Sequence, residues 1–372
     1  MTRVFIVNAG SSSLKYEVLD VEAASVVTSG LVERVTDHSA ALADVLTDLD
    51  AESIDAVGHR IVHGGSVFFE ATLIDDRVEA EIDRLSELAP LHNPPGLAGI
   101  RAARAALPFI PQVAVFDTAF HATLPESSYT YALDAAVAAR HGVRRYGFHG
   151  SSYAYVSRRT AEVLGRPVPR MIVAHLGNGA SIAAIRDGRS VDTSMGMTPL
   201  EGLVMGTRSG DIDPAVLLHL QRVGGYDAAG LDDLLNRSSG LKGLAGHSDM
   251  RDLIAAGDRG DAAARLALEV YVHRLKHYIG AYAAELGGAD ALVFTAGVGE
   301  NSAVVRAAAV DGLEFLGLEL DPALNEERSS EPRVISQGAV PVLVVPTNEE
   351  LQIGRETVAV VTGRWRNIPS HP

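Results

Sequence analysis

The chain has 372 residues, 47% of them hydrophobic and 21% charged, with a formal net charge of −15. That describes a globular protein with room for two ordinary domains, and the acidic surplus argues against a nucleic-acid backbone as partner while still permitting a small anion in a local positive pocket. The absence of cysteine excludes disulfides, thiol catalysis and cysteine-based zinc sites; no apolar run reaches the roughly eighteen residues of a membrane helix, and the short run ending at Asn8 lacks a signal-peptide plan, so the expected address is cytoplasmic, with no membrane partner.

The first element is the run VFIVN, residues 4–8, which reads as a strand. It breaks at Gly10-Ser11-Ser12-Ser13, and the alternating segment LKYEVLD then reads as a second strand. Gly, Asn and Ser are turn formers. They are also what a phosphate cradle needs: backbone N–H groups freed by Gly10, hydroxyls of Ser11 and Ser13, and the Lys15 ammonium aimed at one anion. These residues alone leave both readings open. GHRIVHGG, residues 58–65, reads as strand and turn, so His59 and His63 are expected to be local histidines and not a helical metal pair. A helix is predicted from Pro94-Pro95, where proline suits the first turn, to just before Pro108. The strand QVAVF and Asp117 follow. Residues 171–190 repeat the opening plan: MIVAHLG, then Asn178-Gly179-Ala180-Ser181, then IAAI and an Asp187-Gly188 turn. In both copies a Ser lies three residues after the Asn, which points to an internal duplication with two glycine-rich hairpins facing a polyphosphate. Leu268, Tyr271, Val272, Leu275, Ile279, Tyr282 and Leu286 fall at helical spacing, and Gly287-Gly288 stops that helix. It leads into DALVFTAGVGENS, read as a strand opening into a glycine turn. Strands and helices alternating in this way predict an α/β protein, with no composition break to mark a domain boundary.

Familiar nucleotide signatures are missing: there is no G-x-x-x-x-G-K-[ST], and neither Gly177-x-Gly179 nor Gly297-x-Gly299 completes G-x-G-x-x-G. Polar blocks concentrate instead at the ends of apolar runs: HRIVHGG (59–65), PLHNP (90–94), FDTAFH (116–121), YGFHGSS (146–152), HLGNGAS (175–181), DTSMGMTPLEGLVMGTRSGDIDP (192–214), SDMRD (248–252), FTAGVGENS (294–302) and PTNEE (346–350). Such strand-end loops are where α/β proteins build active sites.

Together these blocks, from Asn8 to Glu350, resemble the acetate kinase (acetokinase) family, within the superfamily of sugar kinases, heat-shock chaperone ATPases and actin. Thr207-Arg208-Ser209-Gly210-Asp211 carries most of the resemblance. One departure is visible: the family usually has Thr and His where this chain has Ser151 and Tyr153. The resemblance implies two related actin-like (ribonuclease H-like) α/β domains flanking a cleft that closes by a hinge. One would span residues 1–121 with 352–372, whose helix closes it, and the other 122–351. It implies reversible transfer from ATP to acetate, giving ADP and acetyl phosphate, by direct in-line transfer with Mg²⁺ or Mn²⁺, in a homodimer. Rival readings are a propionate or butyrate kinase of the same build and a chaperone- or actin-like ATPase.

Acetate at neutral pH is already a carboxylate and needs no general base. The difficulty is bringing one anion to another, which calls for rigid positive charge and a metal ion. The family places two arginines there, matching Arg60 and Arg208, whose planar forks suit carboxylate and phosphoryl oxygens. His149 matches its transition-state donor, while His92 and His175 are as well suited to packing or orientation. Asp117 follows an apolar strand; the family makes it catalytic, and its expected task is holding Arg60 or a metal-bound water, with a turn or helix cap as the plain alternative. Val62, Leu91, Phe148 and Pro199 match the pocket for the methyl group. By the same resemblance the cradle reading is preferred for Ser11, Ser13 and Lys15. His175, Leu176, Gly177, Asn178 and Gly179, then Asp249, Met250 and Arg251, and finally Gly297, Val298, Gly299, Glu300 and Asn301 match the ATP-contacting segments. Asn8 and Glu349, the latter beside Glu350, match the metal site.

Overall fold

The structure, a computed structural model, describes residues 2–10, 13–47, 49, 53–90 and 92–363. It divides into two compact units. The first takes the residues up to Ala122, Phe148–Tyr155 and those from Asn348 onward; the second takes Thr123–Gly147 and Val156–Thr347.

The sheet of the first unit is built from β1 (Arg3–Ala9), β2 (Ser13–Asp20), β3 (Ser25–Glu33), β4 (Ala56–Ile61), β5 (Thr72–Leu73) and β6 (Gln112–Phe116), in the spatial order β3-β2-β1-β4-β6-β5. The first three strands form an antiparallel meander; β1, β4 and β6 run parallel, and β5 closes the edge antiparallel. Parallel strands are covered on both faces and therefore read as near-continuous apolar runs; all five residues of β6 are buried, and all but Gln112 are apolar. Helix Asn93–Ala106 packs on one face through Leu97, Ile100 and Ala103. Helix Glu349–Val361 covers the other, where Leu351 and Ile353 meet Val4, Ile6, Ala56, Val113 and Val115.

The second unit repeats this plan. Its strands are β7 (Arg170–Leu176), β8 (Ala180–Arg186), β9 (Arg189–Thr193), β10 (Ala291–Thr295), β11 (Arg333–Val334) and β12 (Val342–Val344). Read from β9 the order is β9-β8-β7-β10-β12-β11, with the same meander, the same three parallel strands and the same antiparallel edge. The echo between NAGS and NGAS thus falls at equivalent hairpins, β1–β2 and β7–β8. The predicted long helix spans Ala262–Leu286, capped by the Asp261 carboxylate and ended by Gly287 at φ 71°. One prediction is corrected: the expected glycine turn after β10 is a short helix, Ala296–Asn301. Its first N–H, on Ala296, donates to Glu300 Oε1 at 2.8 Å; the glycines concealed a turn held by that carboxylate.

Candidate active site

In the first unit the polar blocks gather at the carboxyl ends of the parallel strands. Arg60 lies near the end of β4, and Asp117 directly follows β6, its N–H donating to Ile61 O at 2.9 Å. The two side chains form a fork: Arg60 Nε donates to Asp117 Oδ1 at 2.9 Å and Nη2 to Oδ2 at 2.6 Å. Asn8, on the neighbouring β1, accepts from Arg60 Nη1 at 3.2 Å. Glu349, in the first turn of the closing helix, places Oε2 3.9 Å from Arg60 Nε. Its neighbour Glu350 pairs with Lys15 at 2.5 Å, and Lys15 also reaches Glu17 at 3.2 Å. Asn8, Arg60, Asp117 and Glu349 thus come together although 341 positions separate the first and last in the chain.

The charges are finely offset. Burial works against the Arg60 guanidinium, but Asp117 and then Glu349 outweigh it and hold its pKa above the ordinary value. Burial pushes the Glu349 carboxyl up to about 7; Arg60 resists this, and Asp117 and Glu350 reinforce it. For Lys15, burial opposes the charge and Glu350 more than restores it.

The YGFHG block arrives beside Asp117. Gly150 N donates to Asp117 O at 2.9 Å, and a Cβ at Gly150 would stand only 2.3 Å from that oxygen, so the close approach requires glycine. His149 adopts φ 61°, a left-handed conformation uncommon for a side-chain-bearing residue. Phe148 is buried against the edge of His63, with ring centroids 5.5 Å apart, and its carbonyl accepts from His121 Nε2 at 2.9 Å. Tyr153 is fully buried against His121 and Phe120. Val62 is half-buried just past β4. The backbone beyond it is fixed by Asn93, which sequence reasoning passed over: its amide exchanges two hydrogen bonds with the His63 backbone, at 3.1 and 3.0 Å. His92 begins the helix that carries Asn93. Ser13 accepts from Gly10 N through its carbonyl at 2.8 Å. Ser11 and Leu91 lie outside the described residues.

In the second unit Arg208 is mostly buried. Its Nη1 donates to Pro199 O at 3.1 Å and lies 3.6 Å from Met205 Sδ. Among the described residues no carboxylate pairs with it, and burial alone lowers its pKa. A desolvated cation without a counter-charge is a ready receptor for an anion.

A cavity of about 920 Å³ opens in the same unit. Gly177, Asn178, Asp249, Met250, Arg251, Gly297, Val298, Glu300 and Asn301 line it. His175 and Leu176 are buried at the end of β7, and Gly179 and Gly299 support the lining segments from behind: Gly177 N donates to Gly179 O at 3.1 Å. The lining further includes Leu241, Ile254, Tyr271, Arg306 and Glu326–Arg328. Sequence periodicity gave Tyr271 only a core role. Arg306 carried no motif, yet its buried guanidinium ties the cavity walls, donating to the Gly299 and Glu300 carbonyls and to both oxygens of Asn325. Asp249 caps helix Met250–Asp258 and grips Arg251 through two bonds, at 3.0 and 2.6 Å, which draws its carboxyl down to about 2. This volume and its mixed apolar and polar lining suit a ligand of nucleotide size.

No described helix is long and apolar enough to cross a membrane. The profile of the acetokinase family matches residues 35–355. An acetate kinase of Leifsonia xyli is 56% identical, covering 97% of this chain and 99% of that protein. Among solved structures, an acetate kinase of Porphyromonas gingivalis superposes with a TM-score of 0.93 at 43% identity, over 97% of this chain and all of the other. A propionate kinase of Francisella tularensis gives 0.91 at 39% identity, again over 97% of this chain and all of the other.

Proposed function

From the premise that the chain belongs to the acetokinase family, we propose that it is an ATP-dependent carboxyl phosphotransferase that converts acetate and ATP into acetyl phosphate and ADP, reversibly. The observation that carries the reading is the contrast between its two arginines. Arg60 is locked by the Asp117 fork and Asn8, while Arg208 is desolvated with no carboxylate among the described residues paired to it. A locked guanidinium suits the orientation of a carboxylate nucleophile; an uncompensated one suits charge that develops during transfer.

Within this reading Arg60 orients acetate, with Val62, Leu91, Phe148 and Pro199 around its methyl group. Asp117 fixes the plane of Arg60 and removes no proton, since the nucleophile arrives ionised. Arg208 and His149 stabilise the equatorial phosphoryl oxygens. The cavity walls at Asn178, Asp249–Arg251 and Gly297–Asn301 take the nucleoside, and the Ser11, Ser13 and Lys15 segment the phosphates. The oxygen donors Asn8 and Glu349 fit Mg²⁺, which keeps several waters and takes one or two carboxylates with substrate phosphates. Crowding of Glu349 by Asp117 and Glu350, which helps raise its pKa, is what a divalent cation would relieve. No cluster of three or more His, Cys, Asp or Glu among the described residues forms an all-protein metal cage, in keeping with an ion shared with substrate. When bound, Mg²⁺ would neutralise polyphosphate charge. Family membership also supports a cytoplasmic homodimer, which sedimentation equilibrium tests.

The test is incubation with Mg·ATP, with and without acetate, trapping acyl phosphate as the hydroxamate. Acetate-dependent trapping is expected; ADP release indifferent to acetate would favour a plain ATPase. The likeness to the propionate kinase makes propionate the rival substrate, and comparing the two acids in the same assay decides it.

A further inference from the structure

We infer that Tyr131, Arg145 and Glu201 form a positioning clamp that sets the direction of the Arg208 guanidinium by fixing the Pro199 carbonyl; the inference rests on the reading of Arg208 given above. Arg208 is held at two points. Its backbone carbonyl accepts from Met205 N, and Gly240 packs so closely that a Cβ there would stand 2.2 Å from Met205 O and 2.7 Å from Arg208 O. Its side chain, lacking a carboxylate, is aimed by the 3.1 Å bond to Pro199 O. Where that carbonyl stands decides where the cation points.

Pro199 lies in a segment without regular secondary structure, yet side chains from outside the segment bind both of its flanks. Arg145 Nη1 donates to three successive carbonyls, Thr193, Ser194 and Met195, at 2.9, 3.1 and 3.1 Å. Its Nη2 reaches Glu201 Oε1 at 2.6 Å. The Tyr131 hydroxyl donates to Glu201 Oε2 and accepts from Met197 N at 3.1 Å. Glu201 is therefore gripped on both oxygens, and the bonds bracket Pro199 on either side. Gly196 shows how tightly the clamp closes: a Cβ there would fall 1.8 Å from Glu201 Oε2 and 2.1 Å from the Tyr131 hydroxyl. Burial works against the Arg145 charge, but Glu201 and the groups around it more than restore it, so the Arg145 guanidinium stays charged. A mostly buried ion pair with a tyrosine bridge is an expensive way to hold an ordinary loop; it is a reasonable way to hold the support of an arginine that no carboxylate among the described residues pairs with.

The experiment uses Tyr131→Phe in the full chain, alone and combined with Arg208→Lys, with acyl hydroxamate formation as the assay. The single variant is expected to lose about 10- to 100-fold in kcat, the scale of a small misplacement of a reacting group, with KM for ATP unchanged within about twofold. In the Arg208→Lys background the same change should cost about threefold or less, because a residue acting through Arg208 has little left to act on. Glu201→Gln, which keeps an acceptor for Arg145, should recover much of what Glu201→Ala loses, and it serves as the test if Tyr131→Phe fails to fold. Equal losses in both backgrounds, or a single variant with wild-type kcat, would overturn the clamp. Failure of the wild-type protein to make acyl phosphate would instead overturn the reading on which it rests.

Discussion

Replacing Asp117 by Asn isolates what the fork does for Arg60. The backbone bonds of residue 117, from its N–H to Ile61 O and from Gly150 N to its carbonyl, survive the change. The side chain keeps one acceptor and turns an NH₂ group toward a guanidinium nitrogen that now sits 2.6 Å from an oxygen. One charge-assisted bond is lost, a change of about 1.5–3 kcal/mol. Because the Arg60 side chain is 22% exposed and Glu349 waits 3.9 Å away as an alternative partner, the lower part of that range applies. About 2 kcal/mol expressed as lost orientation corresponds to roughly 30-fold in kcat. Hydroxamate assays over acetate concentration and pH would measure it. The loss should persist at every pH, and any acidic limb near neutrality should remain in the variant. A variant within about threefold of wild type would refute the orienting role, and disappearance of such a limb with Asp117→Asn would show a general base.

Arg208→Ala should reduce kcat by about 10²–10³, as loss of a single electrostatic donor does elsewhere, and Arg208→Lys should recover only part because a point charge cannot form the fork; steady-state kinetics on the folded variants checks both. Glu349, raised to about 7 from an ordinary value of 4.5, favours the folded state while protonated. Its contribution is complete below about 4.5 and lost as pH rises through about 7. Glu349→Gln in EDTA should therefore flatten the decline of Tm between pH 5 and 8 and raise Tm at pH 8, while weakening the Mg²⁺ dependence of activity; an unchanged Tm profile would contradict this. Propionate should trail acetate by one or two decades in kcat/KM, since overfilling a tight slot outweighs the gain of about 0.8 kcal/mol per buried CH₂. Val62→Ala should narrow that gap, chiefly through the KM for propionate, and equal use of both acids by the wild-type protein would remove the closed slot.

Much of this architecture is legible because its signals are local. A strand buried on both faces is a short apolar run, as in QVAVF, and Gly287 after a helical stripe marks an end. The paired hairpins could be read because turn chemistry repeats: NAGS follows β1, and NGAS follows β7. The strand-end blocks fall where the chemistry gathers for the same reason. What stayed hidden depends on contacts between distant residues. Nothing near Lys15 announces its pairing with Glu350, 335 positions away. Asn93, Tyr131, Arg145 and Arg306 act by holding backbone carbonyls and N–H groups, and a carbonyl has no letter in a sequence. GVGEN looked like a turn because glycine composition outweighed the one carboxylate that closes it into a helix.

The closing helix of the first unit has a consequence for synthesis. Strands β1, β4 and β6 have all been made once residue 116 has left the ribosome, yet the sheet face bearing Val4, Ile6, Ala56, Val113 and Val115 is covered by residues 349–361. At about 5–20 residues per second, that face waits roughly ten to fifty seconds for its cover. During this time it is bare apolar surface of the kind that chaperones bind and aggregates grow from. The second unit, which draws nothing from beyond Thr347, has no such wait. Because Glu349 and Glu350 stand in the first turn of that same helix, the segment that seals the sheet also delivers the carboxylates that meet Arg60 and Lys15. A nascent chain halted before residue 349 would thus be both uncovered and incomplete at its site, and competence would arrive in a single step late in translation.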